Sequence, residues 1–84
     1  MTETLQCWLV ERTYDDKGLI RLTYVPTDGS GQYVTERAAA TGPDATAAME
    51  VESENLGPID GANAERYESE AERMAERHDP DDSI

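Results

Sequence analysis

From its N-terminus the chain shows two apolar-rich runs separated by a short polar stretch. Residues 4–14 (TLQCWLVERTY) and 19–25 (LIRLTYV) are β-branched, aromatic and aliphatic, and Asp15-Asp16-Lys17-Gly18 lies between them. Two such runs around a polar segment that ends in glycine predict a β-hairpin. With Gly18 in the left-handed position of the loop, Tyr14 faces Ile20, Arg12 faces Leu22 and Val10 faces Tyr24. One face of the hairpin then collects Trp8, Val10, Tyr14, Ile20, Leu22 and Tyr24. The other collects Glu11, Thr13, Arg21 and Thr23, with Cys7, Leu9 and Val25 beyond them. A slip of one residue would mix the two sets, so pattern and turn chemistry agree on this register.

Pro26 has no amide to donate and ends the second strand. Asp28-Gly29-Ser30-Gly31 is a turn cluster, and residues 32–38 read as a third strand whose register is open, because Tyr33 and Val34 point to opposite faces and both suit burial. Thr41-Gly42-Pro43-Asp44 breaks the chain again. In residues 45–52 (ATAAMEVE), alternation sets Ala47, Met49 and Val51 against Ala48, Glu50 and Glu52, as in an edge strand. Asp44 would equally cap a helix ending at Gly57-Pro58, but β-branched Val51 and the poor helical stripe beyond Met49 favour the strand. Asp60 caps a predicted helix from about Ala62 to His78, stopped by Asp79-Pro80. Ala64, Tyr67, Ala71, Met74, Ala75 and His78 form its narrow apolar stripe, with small residues that allow close approach to a sheet. The expected fold is α+β: an antiparallel β-meander of three or four strands with one C-terminal α-helix on one face. Residues 1–78 form the expected domain, and residues 79–84 a frayed acidic tail.

Charge changes the picture of where such a fold works. Nineteen of the 84 residues are acidic and seven basic, a net charge of −12, and Lys17 is the sole lysine. Self-repulsion on this scale opposes a compact state in dilute buffer. In molar salt the screening length falls to ~3 Å and the same charges repel only near neighbours. The imbalance is uneven: residues 1–42 carry a net −2 and residues 43–84 a net −10. The sequence therefore predicts a small halophilic protein with a nearly neutral hairpin and an acidic second half. No apolar run approaches the ~20 residues needed to cross a bilayer, and neither terminus carries a signal or lipidation pattern, so the expected location is the cytoplasm. Cys7 is the only cysteine, which excludes an intrachain disulfide, and its apolar neighbours predict a buried thiol.

Candidate chemistry is sparse. Glu65, Glu68 and Glu72 share a helix face, but catalytic carboxylates need a dry cleft that separates their pKa values, and this face is expected to be wet. Arg66, Glu70, Arg73 and Glu76 suit a ladder of weak ion pairs. His78-Asp79-Pro80-Asp81-Asp82 offers a single imidazole on a proline-broken segment, so a His favoured by the helix dipole is expected rather than a metal site. The 28–32 segment fails as a calcium loop, because with Gly31 as the turn glycine the first and last ligand positions fall on Pro26 and Arg37. There is no phosphate loop, dinucleotide fingerprint or nucleophile elbow. No catalytic activity, cofactor or metal is expected, and the scattered arginines exclude a basic nucleic-acid footprint.

The block Cys7-Trp8-Leu9-Val10-Glu11-Arg12-Thr13-Tyr14 and the closing 71–82 (AERMAERHDPDD) together resemble the small, acidic, uncharacterised proteins of haloarchaea. The resemblance implies a salt-rich archaeal cytoplasm and brings no activity with it. The functional expectation comes from the hairpin, which is apolar on both faces while one helix covers only one. Leu5, Cys7, Leu9, Leu19 and Val25 are the interface candidates for a protein partner or a second copy. Replacing Leu9 by Glu would then abolish dimerisation and leave helix content intact. An interaction or adaptor module is the resulting reading, with strand addition at a sheet edge as one mode. Its alternative is an acidic nucleic-acid mimic that binds a basic protein through the C-terminal helix. Direct nucleic-acid or membrane binding is not expected.

Overall fold

The computed structural model describes residues 3–38 and 46–82. Strands β1 (Thr4–Tyr14), β2 (Leu19–Pro26), β3 (Tyr33–Ala38) and β4 (Ala48–Glu52) are followed by a 3₁₀ turn (Ser53–Asn55) and one helix, α1 (Gly61–Arg77). All pairings are antiparallel in the order β3-β2-β1-β4. The first three strands form a meander, and β4 returns to the free side of β1, so β3 and β4 are the two edges.

The β1–β2 turn is built as its sequence requires. The Asp15 carboxylate accepts from the amides of Lys17 and Leu19, both at 2.9 Å, and Gly18 has φ +83°, which a Cβ would resist. Tyr14 faces Ile20 and Arg12 faces Leu22, but Leu9, not Val10, faces Tyr24. The pairing jumps from Leu9 to Glu11, leaving Val10 as the extra residue of a β-bulge. The bulge rotates the first half of β1, which corrects the predicted faces. Trp8 packs under the helix with Val25, while Cys7 and Leu9 join Leu22 and Tyr24 on the opposite face. Alternation along the continuous apolar run Cys7 to Val10 serves two cores at once.

The helix side holds Trp8, Val25, Ala47, Ala48, Tyr67 and Ala71, with Val10, Ile59, Met74 and Ala75 around them. Asp60 accepts from the Ala62 amide at the helix start, and Tyr67 and Ala71 are the helix's buried residues. The second core, Cys7, Leu9, Leu22, Tyr24 and Val51, lies on the other face. The segment after β4 closes it. Leu56 packs on this core, and Gln32 and Gly57 exchange backbone hydrogen bonds of 2.9 and 2.8 Å at the start of β3. The chain thus crosses from the β4 edge to the β3 edge before reaching α1. Gly31 permits this crossing, since a Cβ there would lie 2.9 Å from the Leu56 Cβ and 3.0 Å from the Gly57 carbonyl oxygen.

The sequence predicts a frayed tail from residue 79, and in the structure residues 80–82 lie against the start of β4. The Ala47 amide donates to the Asp82 carbonyl at 2.8 Å and the Ala48 amide to the Pro80 carbonyl at 3.0 Å. Edge amides of a sheet seek acceptors, and the tail supplies them locally despite its polarity.

Candidate functional site

The five interface candidates do not converge. Cys7 and Leu9 are buried and Leu5 half-buried on the face that the 53–57 segment closes. Val25 is buried beneath the helix. Leu19 is half-buried at the hairpin end, beside a hollow of about 250 Å³ that Thr13, Tyr14, Arg21 and Glu36 also line. The bare apolar face expected from sequence is therefore occupied from within the chain. Sequence reading missed this because part of the cover, Leu56, comes from a segment that reads as loop, and it joins Leu5, Ile20, Tyr33 and Met49 around the same core.

The Cys7 thiol is pushed up to about 11, first by burial and then by the negative charge of Asp28. That leaves it protonated and unreactive at neutral pH. Between the helix and β1, the Tyr67 hydroxyl donates to Glu11, which Arg66 also approaches at 3.5 Å. The Arg66 guanidinium lies 5.1 Å from the Tyr67 ring centroid and bonds Asn63 at 3.0 Å. Burial, followed by the hydrogen bond to and charge of Glu11, raises the Tyr67 pKa against the opposing effect of Arg66. This cluster clasps helix to sheet. In place of the full predicted ladder on the helix, Arg66 turns to the sheet and Arg73 pairs with Glu70 at 3.7 Å. Glu65, Glu68, Glu72 and Glu76 stand exposed. Among the described residues no three His, Cys, Asp or Glu side chains gather as for a metal ion, and no helix is long and apolar enough to cross a membrane.

What the faces lack, the edges offer. Ser53 donates to the Glu3 carbonyl and Leu9 to the Ala47 carbonyl, so residues 49, 51 and 53 bond inward to β1, as does the Ala47 carbonyl, while the Ala47 amide turns to Asp82. By alternation the backbone groups of Ala48, Glu50 and Glu52 point outward from β4. At the opposite edge, β3 presents Val34, 42% exposed, with Glu36 bonded to Arg21 across the sheet at 3.1 Å. A sheet edge carries unused main-chain donors and acceptors, and that is a recognition element without any cofactor.

The chain belongs to a family of unknown function, DUF7967, whose model matches residues 1–84. No curated protein and no solved structure matches it. Among its described residues, this DUF7967 member has two covered sheet faces and two strand edges.

Proposed function

We propose that this chain is a small, non-catalytic interaction module of a salt-rich cytoplasm that engages a protein partner by adding a strand to an edge of its sheet. The observation that supports this reading is the closure of both sheet faces, by α1 on one side and the Leu56 segment on the other. Main-chain bonding along an edge gives affinity, and alternating side chains give selectivity. The net charge of −12 keeps such a module dissolved at high ionic strength. Main-chain hydrogen bonds and apolar burial persist in brine, where long-range charge attraction is screened.

The alternative, mimicry of nucleic acid by α1, draws on the exposed row Glu65, Glu68, Glu72 and Glu76. Affinity built on such charges falls steeply with salt. Carbodiimide coupling of carboxylates to partner lysines, in cells at native salinity, separates the two readings by mass spectrometry. Edge recognition predicts cross-links through Glu36, or through Glu50 and Glu52. Cross-links confined to the helix glutamates would replace it with the mimic.

A further inference from the structure

The two edges differ in what already touches them. At β3 the acid on the outer edge, Glu36, is paired with Arg21. At β4 the outward positions Glu50 and Glu52 are both exposed acids, and the chain's own tail lies against the strand's start. We propose that the outer edge of β4 takes a basic extended segment of a partner protein, and that residues 80–82 hold that edge as an internal competitor. This specifies the edge and the partner chemistry of the strand-addition reading, on which it rests.

The tail is built to sit there. Asp82 donates its amide to the Asp79 carbonyl and accepts the Asp79 amide on its carboxylate, both at 3.0 Å. The same carboxylate lies 3.5 Å from His78 Nδ1 at the helix end. This closed turn delivers the Pro80 and Asp82 carbonyls to the Ala48 and Ala47 amides. Yet the occupant suits the edge poorly. Pro80 has no amide to return, so the contact does not continue as a ladder. Asp81 and Glu50 line one shallow hollow of about 210 Å³ with Gln6, Thr46 and Met49, so like charges meet where the tail docks. An incoming strand with Lys or Arg at alternate positions would satisfy the outward groups of Glu50 and Glu52 and place opposite charges across from both side chains. The tail is weak enough to be displaced by that partner and sufficient to shield the first edge amides in its absence.

The test uses the full ¹⁵N-labelled chain and two synthetic peptides, one alternating Lys and Val and one alternating Glu and Val, at fixed moderate KCl. The basic peptide is expected to give saturable shifts at the Ala48, Glu50 and Glu52 amides and to release residues 80–82, while the acidic peptide gives none. Asp82→Ala removes the carboxylate that closes the turn and leaves both cores untouched. It should tighten basic-peptide binding about tenfold, equivalent to ~1.4 kcal/mol. Shifts at Val34 and Glu36 instead would overturn the β4 assignment and keep edge recognition. Shifts spread along the glutamates of α1, or no shift at either edge, would overturn it as well, with the cellular cross-links deciding edge recognition separately. Unchanged affinity in the Asp82→Ala chain would remove the competitor role.

Discussion

The helix-covered and loop-covered faces of the sheet reach similar burial by different means. On the helix side, a 17-residue element lays small residues, Ala71 and Ala75, against Ala47, Ala48 and Trp8. On the other side, large residues of the strands, Leu22, Tyr24 and Leu9, do most of the filling, and a three-residue turn followed by Leu56 closes over them. A helix distributes its contact over many positions, so one truncation leaves the rest in place. A short crossing concentrates closure at a few points: the Leu56 side chain, the Gln32–Gly57 bonds and the space left by Gly31. The loop face should therefore be the more sensitive to single changes.

The largest effect belongs to Leu9→Glu. Leu9 is 6% exposed and sits with Cys7, Leu22, Tyr24 and Val51. A carboxylate there has no partner, and burying it adds a charge penalty to lost packing, a loss above about 4 kcal/mol. That approaches the whole stability of a small domain. Circular dichroism should show loss of helix as well as strand. The expectation that this change acts on dimerisation alone presumes an open face, and the burial of Leu9 removes that premise. A Leu9→Glu chain with full helix content would instead put Leu9 at the surface.

Cys7 reads the same face through pH. Its thiol titrates at about 11 when folded against 9.0 as the reference value. The folded chain thus holds its proton where the unfolded chain releases it. Stability from this group is complete below pH 9 and declines as pH rises through about 11, by ~1.4 kcal/mol for each unit separating the two pKa values. Urea midpoints measured from pH 8 to 11 should fall, and more steeply than in a Cys7→Ala chain. Parallel slopes in the two chains would mean that the thiol is not shielded.

Much of this architecture was legible in local chemistry. The Asp15–Gly18 turn, the Asp60 cap and the alternation of Ala48 to Glu52 are set by neighbours in sequence and stand in the structure; Ala47, expected beside Met49 and Val51, lies instead with Ala48 in the helix-side core, and residue 45 is outside the described residues. Three features were not. The bulge at Val10 switches the parity of β1, so that Trp8 and Val10 share the helix face with Glu11 rather than with Arg12, which only the packed sheet reveals. The docking of Leu56 and of residues 80–82 depends on contacts between segments distant along the chain. The candidate site shared that fate. Leu5, Cys7 and Leu9 alternate onto the face that the helix leaves uncovered, which in sequence alone looks open. The edge at Glu50 and Glu52 carried a signal, outward acids on an alternating strand, but which edge lay open was a matter of strand order.

Gly31→Ala tests the crossing itself. The added methyl would stand 2.9 Å from the Leu56 Cβ and 3.0 Å from the Gly57 carbonyl, a backbone atom with little freedom to retreat. Overpacking of this kind costs about 1–3 kcal/mol. Hydrogen exchange should quicken first at the paired Gln32 and Gly57 amides, ahead of amides in α1. A uniform change across both faces would show that the crossing is not a separate point of weakness.

Tyr67→Phe probes the helix face and should have the smallest effect. The ring, 6% exposed, keeps its place in the cluster with Trp8 and Ala71, so only the bond from its hydroxyl to Glu11 is lost. Glu11 is partly exposed and retains Arg66 at 3.5 Å, so its oxygen is not stranded and the cost is about 1 kcal/mol. The sign of the pH dependence follows from the raised Tyr67 pKa. The folded chain holds the phenolic proton more tightly than the unfolded one, so the contribution is complete below pH 10 and is lost as pH rises through the folded value. A phenolate cannot donate to a carboxylate, which is the physical origin of that loss. Stability difference between the parent and the Tyr67→Phe chain, measured by urea unfolding, should therefore narrow as pH climbs above 10. A difference of several kcal/mol at neutral pH would mean that helix closure hinges on one contact after all, making the two faces alike in kind.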